Sequence, residues 1–130
     1  MKSISVILAT LNSGEILEKS ISSVRNQDYN QNLIEIIAAD GGSTDKTLEI
    51  LKKYGAQIIS ENTGNPEAAK AIALEKAQNE IILHIDDDTV LPHKNWLKNM
   101  LSCWEKEPQA VACYPWRYRY KKSTNLLNRY

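Results

Sequence analysis

The feature that most constrains this chain is a regular alternation of short apolar runs with helical patterns, in which several apolar runs end in a polar cluster. Ile4 to Ala9 is almost continuously apolar and β-branched, as expected for a strand covered on both faces. Asn12 or Ser13 is placed to cap a following helix whose buried stripe is Leu17, Ile21 and Val24. Asn30 to Asn32 interrupts the pattern before a second strand, Leu33 to Ala39, which runs into the turn cluster Asp40-Gly41-Gly42-Ser43-Thr44-Asp45 with helix-capping residues at its end. Leu48, Leu51 and Tyr54 line the next helix, Gly55 stops it, and Gln57 to Ser60 reads as a third strand. Asn65-Pro66-Glu67 combines a capping side chain, a proline at the first helical position and an acid near the positive end of the helix dipole. That helix runs through Ala69, Ile72, Ala73 and Ala77, and Glu80 to Ile85 forms a fourth strand ending at Asp86-Asp87-Asp88. Leu97, Met100, Leu101 and Trp104 define a last helix, closed by Pro108, and Ala110 to Tyr114 a fifth strand.

Strand–helix alternation with short connections predicts a three-layer α/β/α sandwich around a mostly parallel, Rossmann-like sheet with right-handed crossovers. In such sheets ligands bind outside the carboxyl ends of the strands, where the strand order switches direction. Thr10 to Asn12, Asp40 to Asp45 and Asp86 to Asp88 all fall at strand ends, so three segments are expected to converge on one site. The organisation expected is one α/β domain over residues 1–114, with residues 115–130 beginning a further segment or connector.

Sixteen basic and sixteen acidic residues give no net charge, which excludes a general nucleic-acid binder resting on basic excess. Any anionic ligand must be held by local groups. Cys103 and Cys113 lack metal-site or CxxC spacing and read as buried free thiols, in keeping with a reducing compartment. The apolar N-terminal run is too short to span a bilayer and lacks a cleavage site, so it is assigned to the first strand.

Three adjacent carboxylates after an apolar strand repel one another unless a cation compensates, and hard oxygen donors favour Mg²⁺ or Mn²⁺. Such an ion keeps waters and accepts phosphate oxygens, so one or two protein carboxylates suffice; a solvated acidic turn is the plainer reading of the triplet alone. In the second cluster glycines allow close backbone approach, and a carboxylate can accept hydrogen bonds from a nucleobase imide or a ribose hydroxyl. Seen alone, it is a strand-to-helix turn with a cap. His84 reads as a packed strand residue and His93 as exposed.

Together the three clusters resemble glycosyltransferase family 2, of the GT-A fold. Ser5-Val6-Ile7-Leu8-Ala9-Thr10-Leu11-Asn12 is similar to the family's opening strand and turn. Ile37 through Thr47 resembles its V-V-D-x-G-S-T-D-x-T element, and Asn79 through Asp88 its G-E-Y-I-x-x-L-D-x-D element. The resemblance implies a nucleotide-diphosphate sugar as donor and a hydroxyl acceptor on a carbohydrate, lipid-linked or protein molecule, as in polysaccharide or glycoconjugate synthesis. By it, Thr10, Leu11 and Asn12 border the base, Asp40 and Gly41 approach base or ribose, and Lys70 approaches phosphate. Asp86 and Asp87 fall near the ribose, and Asp86 and Asp88 hold the divalent metal of a DXD motif. Gly41 stands where a second aspartate is common, and Lys70-Ala71 where arginine-asparagine is usual. The carboxylate base of inverting members aligns beyond Tyr130, so this piece is expected to bind donor better than it turns donor over.

The basic-aromatic end, Trp116-Arg117-Tyr118-Arg119-Tyr120-Lys121-Lys122, reads first as a truncated strand or loop with solvated charges; the other reading is an acceptor groove or a membrane surface, which would place a cytoplasmic protein at the inner face of the membrane. Two other classes fit the sheet: a sugar-phosphate nucleotidyltransferase and a non-enzymatic flavodoxin-like module. The first usually carries a glycine-rich, basic loop after strand one, and Thr10 to Gly14 has no lysine or arginine. The second needs its acids early, whereas here they are densest at the fourth strand.

Overall fold

The computed structural model describes residues 1–106. In chain order it contains β1 (Ile4–Thr10), α1 (Gly14–Arg25), a single 3₁₀ turn (Gln31–Leu33), β2 (Ile34–Asp40), α2 (Thr47–Lys53), β3 (Gln57–Ser60), α3 (Pro66–Lys76), β4 (Ile81–His84) and α4 (Trp96–Lys106). The four strands form one sheet in the order β3-β2-β1-β4, parallel throughout, with Ile4 opposite Ile34 and Ile81, and Asp40 opposite both Thr10 and Ser60. The α/β architecture is therefore the one expected, and the fifth strand expected at Ala110 to Tyr114 lies outside the described residues. Met1–Lys98 forms one compact unit; of the second, Asn99–Tyr130, the described part is the remainder of α4.

The sheet forms because β1 and β2 are apolar on both faces, and both faces are covered. Ile7, Ile37 and Ala39 pack with Ala69 and Ala73 of α3, with Ala9, Ile59, Ala77 and Ile82 around them. Val6, Leu8, Ile36 and Ala38 point by the pleat to the other face and are fully buried, as are Leu17, Ile21 and Val24 of α1. Right-handed crossovers from β1 to β2 and β2 to β3 run outward and put α1 and α2 on one face. The crossover from β3 back to β4 puts α3 on the other. The direction of winding reverses between β1 and β4.

Local signals account for most boundaries. Asn65 caps α3 as expected, its side chain accepting hydrogen bonds from the amides of Glu67 and Ala68, with Pro66 at the first position. Arg25 closes the end of the sheet opposite the polar clusters, donating to the carbonyls of Tyr54 and Ile34; burial lowers its pKa.

Several expectations are corrected. α1 has no side-chain cap: Asn12 accepts from the amide of Thr44, and the Ser13 hydroxyl donates to Asp87. Both side chains are spent on contacts between loops rather than on the helix behind them. The buried face of α2 is Thr47, Ile50 and Leu51, with Leu48 only half-buried. His84 is exposed rather than packed, because β4 pairs only with β1 among the described strands. Cys103 is exposed rather than buried; Cys113 lies outside the described residues.

α3 packs on β1 and β2 through alanines, which leaves little room between helix and sheet. Ala73→Leu, at a position with no exposure, should overpack this contact and lower stability by about 1–3 kcal/mol in urea unfolding. Ala71→Leu, exposed two residues earlier, should change it by less than about 0.5 kcal/mol.

Candidate functional site

Because all four strands are parallel, their carboxyl ends share one rim. The first two loops there are joined by side chains from distant sequence positions. Thr10, at the end of β1, donates its hydroxyl to Asp40 Oδ1 at 2.9 Å, and the amide of Gly41 donates to the Thr10 carbonyl at 2.9 Å. Asp40 is 3% exposed and accepts four hydrogen bonds. The hydroxyls of Thr10 and Ser43 reach Oδ1, and the amides of Gly42 and Ser43 reach Oδ2 at 3.0 and 2.8 Å. Burial pushes its pKa up, but the bonds from the Ser43 hydroxyl and amide, Thr10 and Gly42 outweigh this, and its carboxyl is held below the ordinary value.

The Ser43 hydroxyl also accepts from the amide of Asn12 at 2.8 Å, and Asn12 Oδ1 accepts from the amide of Thr44 at 2.8 Å. Asn12 adopts a left-handed backbone (φ 49°), which turns its amide and side chain together toward that loop. Thr47, buried at the start of α2, accepts from the amides of Ser13 and Gly14 at 2.8 and 3.1 Å. Its own amide donates to Asp45 Oδ1, and these bonds, the Thr47 hydroxyl first, lower the pKa of Asp45.

The third loop is tied to the first through α1. The amide of Ile85 donates to the Ile7 carbonyl, the hydroxyl of Ser20 to the Asp86 carbonyl, and the amide of Leu91 to the hydroxyl of Ser23. Asp86 and Thr89 close a turn, amide to hydroxyl at 3.1 Å and carbonyl to amide at 3.0 Å. Within the acidic triplet the three carboxylates have different surroundings. Asp86 is ion-paired with Lys70, Asp87 accepts from Ser13, and Asp88 is exposed with no hydrogen-bond partner among the described residues. Lys70 is not a solvated helix lysine: its side chain is 12% exposed and also pairs with Glu67 at 3.2 Å. Burial lowers its pKa, the bonds to Asp86 and Glu67 raise it more, and the result lies above the ordinary lysine value.

The structure therefore brings Thr10, Asn12, Asp40 and Gly41 into one laced pair of loops, with Asp86 paired to Lys70 and with Asp86 and Asp87 tied to Ser20 and Ser13 beside them. Leu11 projects from this rim, 58% exposed. The sequence reading missed Ser13, Ser43 and Thr47 as bridging residues, and it missed the end of β3. The signal for the latter was available, since a fourth parallel strand must bring its own carboxyl end to the same rim. Glu61 occupies that place, its amide donating to the Asp40 carbonyl at 2.9 Å.

Fold and rim define an α/β protein of the GT-A glycosyltransferase type. The pattern of the family described as Glycosyl transferase family 2 matches residues 5–130, and this chain belongs to that family. Among curated relatives it is similar to poly(ribitol-phosphate) beta-N-acetylglucosaminyltransferase TarP of Staphylococcus aureus, 34% identical over 106 residues, covering 77% of this chain and 32% of that protein. Among solved structures it is similar to S. aureus TarS 1–349 in complex with UDP-GlcNAc, with a TM-score of 0.75 and 28% identity over 82% of this chain and 32% of that one. It is also similar to glucosyl-3-phosphoglycerate synthase from Mycobacterium tuberculosis in complex with Mn²⁺, UDP and glucosyl-3-phosphoglycerate, with a TM-score of 0.61 and 27% identity over 78% of this chain and 39% of that one. The chain thus spans a third or a little more of the length of these proteins.

The four bonds on Asp40 make it the pivot of the site. Asp40→Asn should lower stability by about 2–4 kcal/mol, since an amide cannot accept from all four donors. A carboxyl whose folded pKa is depressed stabilises the fold above its unfolded value, near 4, and that stability is lost as pH falls through the folded value. The gap between wild type and Asp40→Asn in thermal melts should therefore narrow below about pH 4.

Proposed function

We propose that this chain carries the donor-binding part of a glycosyltransferase that moves a sugar from a nucleotide diphosphate to an acceptor hydroxyl. The observation that carries the reading is the joining of three strand-end loops at one rim by hydrogen bonds, with an acidic triplet beside the point where the sheet reverses its winding. The TarS complex with UDP-GlcNAc supports a nucleotide sugar as donor.

In this reading Thr10, Leu11, Asn12, Asp40 and Gly41 form the nucleoside side of the site. Leu11 offers an apolar surface to the base, Gly41 offers bare backbone, and Asp40 holds both loops in place. Asp86, Asp87 and Lys70 lie toward ribose and diphosphate, where the Lys70 ammonium can exchange its carboxylate partner for a phosphate oxygen.

Asp86 and Asp88 supply hard oxygen donors of the kind Mg²⁺ or Mn²⁺ prefers, and the Asp88 carboxylate has its lone pairs open. Among the described residues no three His, Cys, Asp or Glu side chains converge on one point, so an ion on this pair would be completed by water and diphosphate oxygens. Its chemistry would be to offset the charge growing on the leaving diphosphate. The M. tuberculosis synthase complex, which contains both Mn²⁺ and UDP, supports that ion.

The name of TarP states a β-linked product. From an α-linked donor such a product requires inversion, hence in-line attack by an acceptor hydroxyl and a base to take its proton. Among the described residues no helix is long and apolar enough to cross a membrane. The basic-aromatic segment at 116–122, proposed for an acceptor groove or a membrane surface, lies outside the described residues.

Calorimetric titration of the purified chain with UDP and GDP, with and without Mn²⁺, tests the reading. Mn²⁺ should tighten binding of one of them by about tenfold or more, equivalent to about 1.4 kcal/mol. Asp88→Ala should remove that gain while the circular dichroism of the fold is unchanged. Binding of neither nucleotide, or a gain that survives Asp88→Ala, would count against the site as drawn.

A further inference from the structure

Gly41 leaves a place at the rim that another residue fills. A Cβ built on Gly41 would lie 3.1 Å from Glu61 Oε1, 3.6 Å from Leu11 Cδ1 and 3.7 Å from the Thr10 carbonyl oxygen. The carboxylate of Glu61, arriving from the end of β3, therefore stands over bare backbone beside the exposed side chain of Leu11.

Its orientation is fixed from behind. Oε2 accepts from both the amide and the hydroxyl of Thr63, each at 2.6 Å, and the Glu61 amide is held by the Asp40 carbonyl. Oε1 accepts no hydrogen bond among the described residues. The Thr10 carbonyl beside it uses one lone pair for the Gly41 amide. The spot thus presents an apolar side chain and the open Oε1 of a carboxylate, with the carbonyl of the buried Thr10 behind it.

A flat heterocycle lying against Leu11 would find this acceptor at its edge and would be selected for N–H groups. Uracil offers N3–H there and guanine offers N1–H with its exocyclic amine. Cytosine and adenine offer an exocyclic amine at the same edge, but beside it stands an unprotonated ring nitrogen whose lone pair opposes the carboxylate. We infer that Glu61 is the residue that selects the donor base, favouring one with a ring N–H. The inference rests on the nucleotide-sugar reading of the rim and assigns its base specificity to a residue from the end of β3.

The test is titration of the purified chain with UDP, GDP, CDP and ADP in the presence of Mn²⁺. Wild type should bind UDP or GDP at least about tenfold more tightly than CDP and ADP. Glu61→Gln keeps the size and one acceptor for Thr63 but can turn its amide toward the base; the preference over CDP should collapse to within about threefold. Gly41→Ala, at a position outside the left-handed region, puts a methyl group 3.1 Å from Oε1. It should displace the carboxylate and erode the same preference with Glu61 still present. A preference unchanged in Glu61→Gln, or an equal loss for all four nucleotides, would overturn the assignment and leave the donor site standing. Failure of wild type to bind any of the four would instead overturn the donor reading itself.

Discussion

The site depends on one buried carboxylate whose lone pairs are all used by the protein. Asp40 ends β2, yet its four donors come from β1 and from its own loop. A charge at 3% exposure is tolerated only because these bonds replace water, and each is stronger for being made to an ion. Ser43 then acts in both directions, donating to Asp40 and accepting from Asn12. Thr47 repeats the arrangement one turn of chain later, with two amides of the first loop on a single hydroxyl. Two loops about 30 residues apart in sequence are thereby held as one surface. A nucleoside bound there, as proposed, would gain from such preorganisation, since flexible loops would lose affinity to the cost of ordering them.

The parallel sheet makes the surface available, and the strand order decides where on it a ligand can sit. With β1 central and β2 and β4 on either side of it, the chain winds away from β1 in both directions. The loop after β1 leads into α1, and the loop after β4 is tied back onto the same helix through Ser20 and Ser23. Asp86 to Asp88 therefore lie beside Asn12 and Ser13 at the rim. The bond from Ser13 to Asp87 joins the two loops directly.

Backbone pattern was legible in the sequence wherever burial was strong. β1 and β2 were visible as continuous apolar runs, and α3 was visible from Asn65-Pro66-Glu67, whose cap forms as its residue types require. Legibility failed where one side chain had two eligible partners. Asn12 and Ser13 have the chemistry of helix caps, and nothing local reveals that Thr44 and Asp87 take them instead. The contact made by Lys70 was not legible because its partner, Asp86, lies 16 residues further along. His84 looked packed because a strand pattern does not say how many neighbours the strand will have. Glu61 was passed over for the opposite reason: a lone acid after a short strand has no motif around it, and only the sheet topology places it at the rim.

Division of charge follows from these partners. Three adjacent carboxylates in one loop would repel if all faced solvent alike, and the fold separates them. Asp86 is balanced by a lysine that is itself largely buried, Asp87 is drawn toward the first loop by a hydroxyl, and Asp88 remains open. Lys70 thus supplies in the free protein part of the positive charge that a divalent ion would supply in a complex. In the proposed donor site a phosphate oxygen would compete for the Lys70 ammonium while an ion would compete for the Asp86 carboxylate. Each exchange favours the other: releasing Asp86 from Lys70 raises its attraction for a cation, and releasing Lys70 raises its attraction for phosphate. Ion and nucleotide should accordingly bind with positive coupling through this one pair, without rearrangement of the two loops that Asp40 holds together.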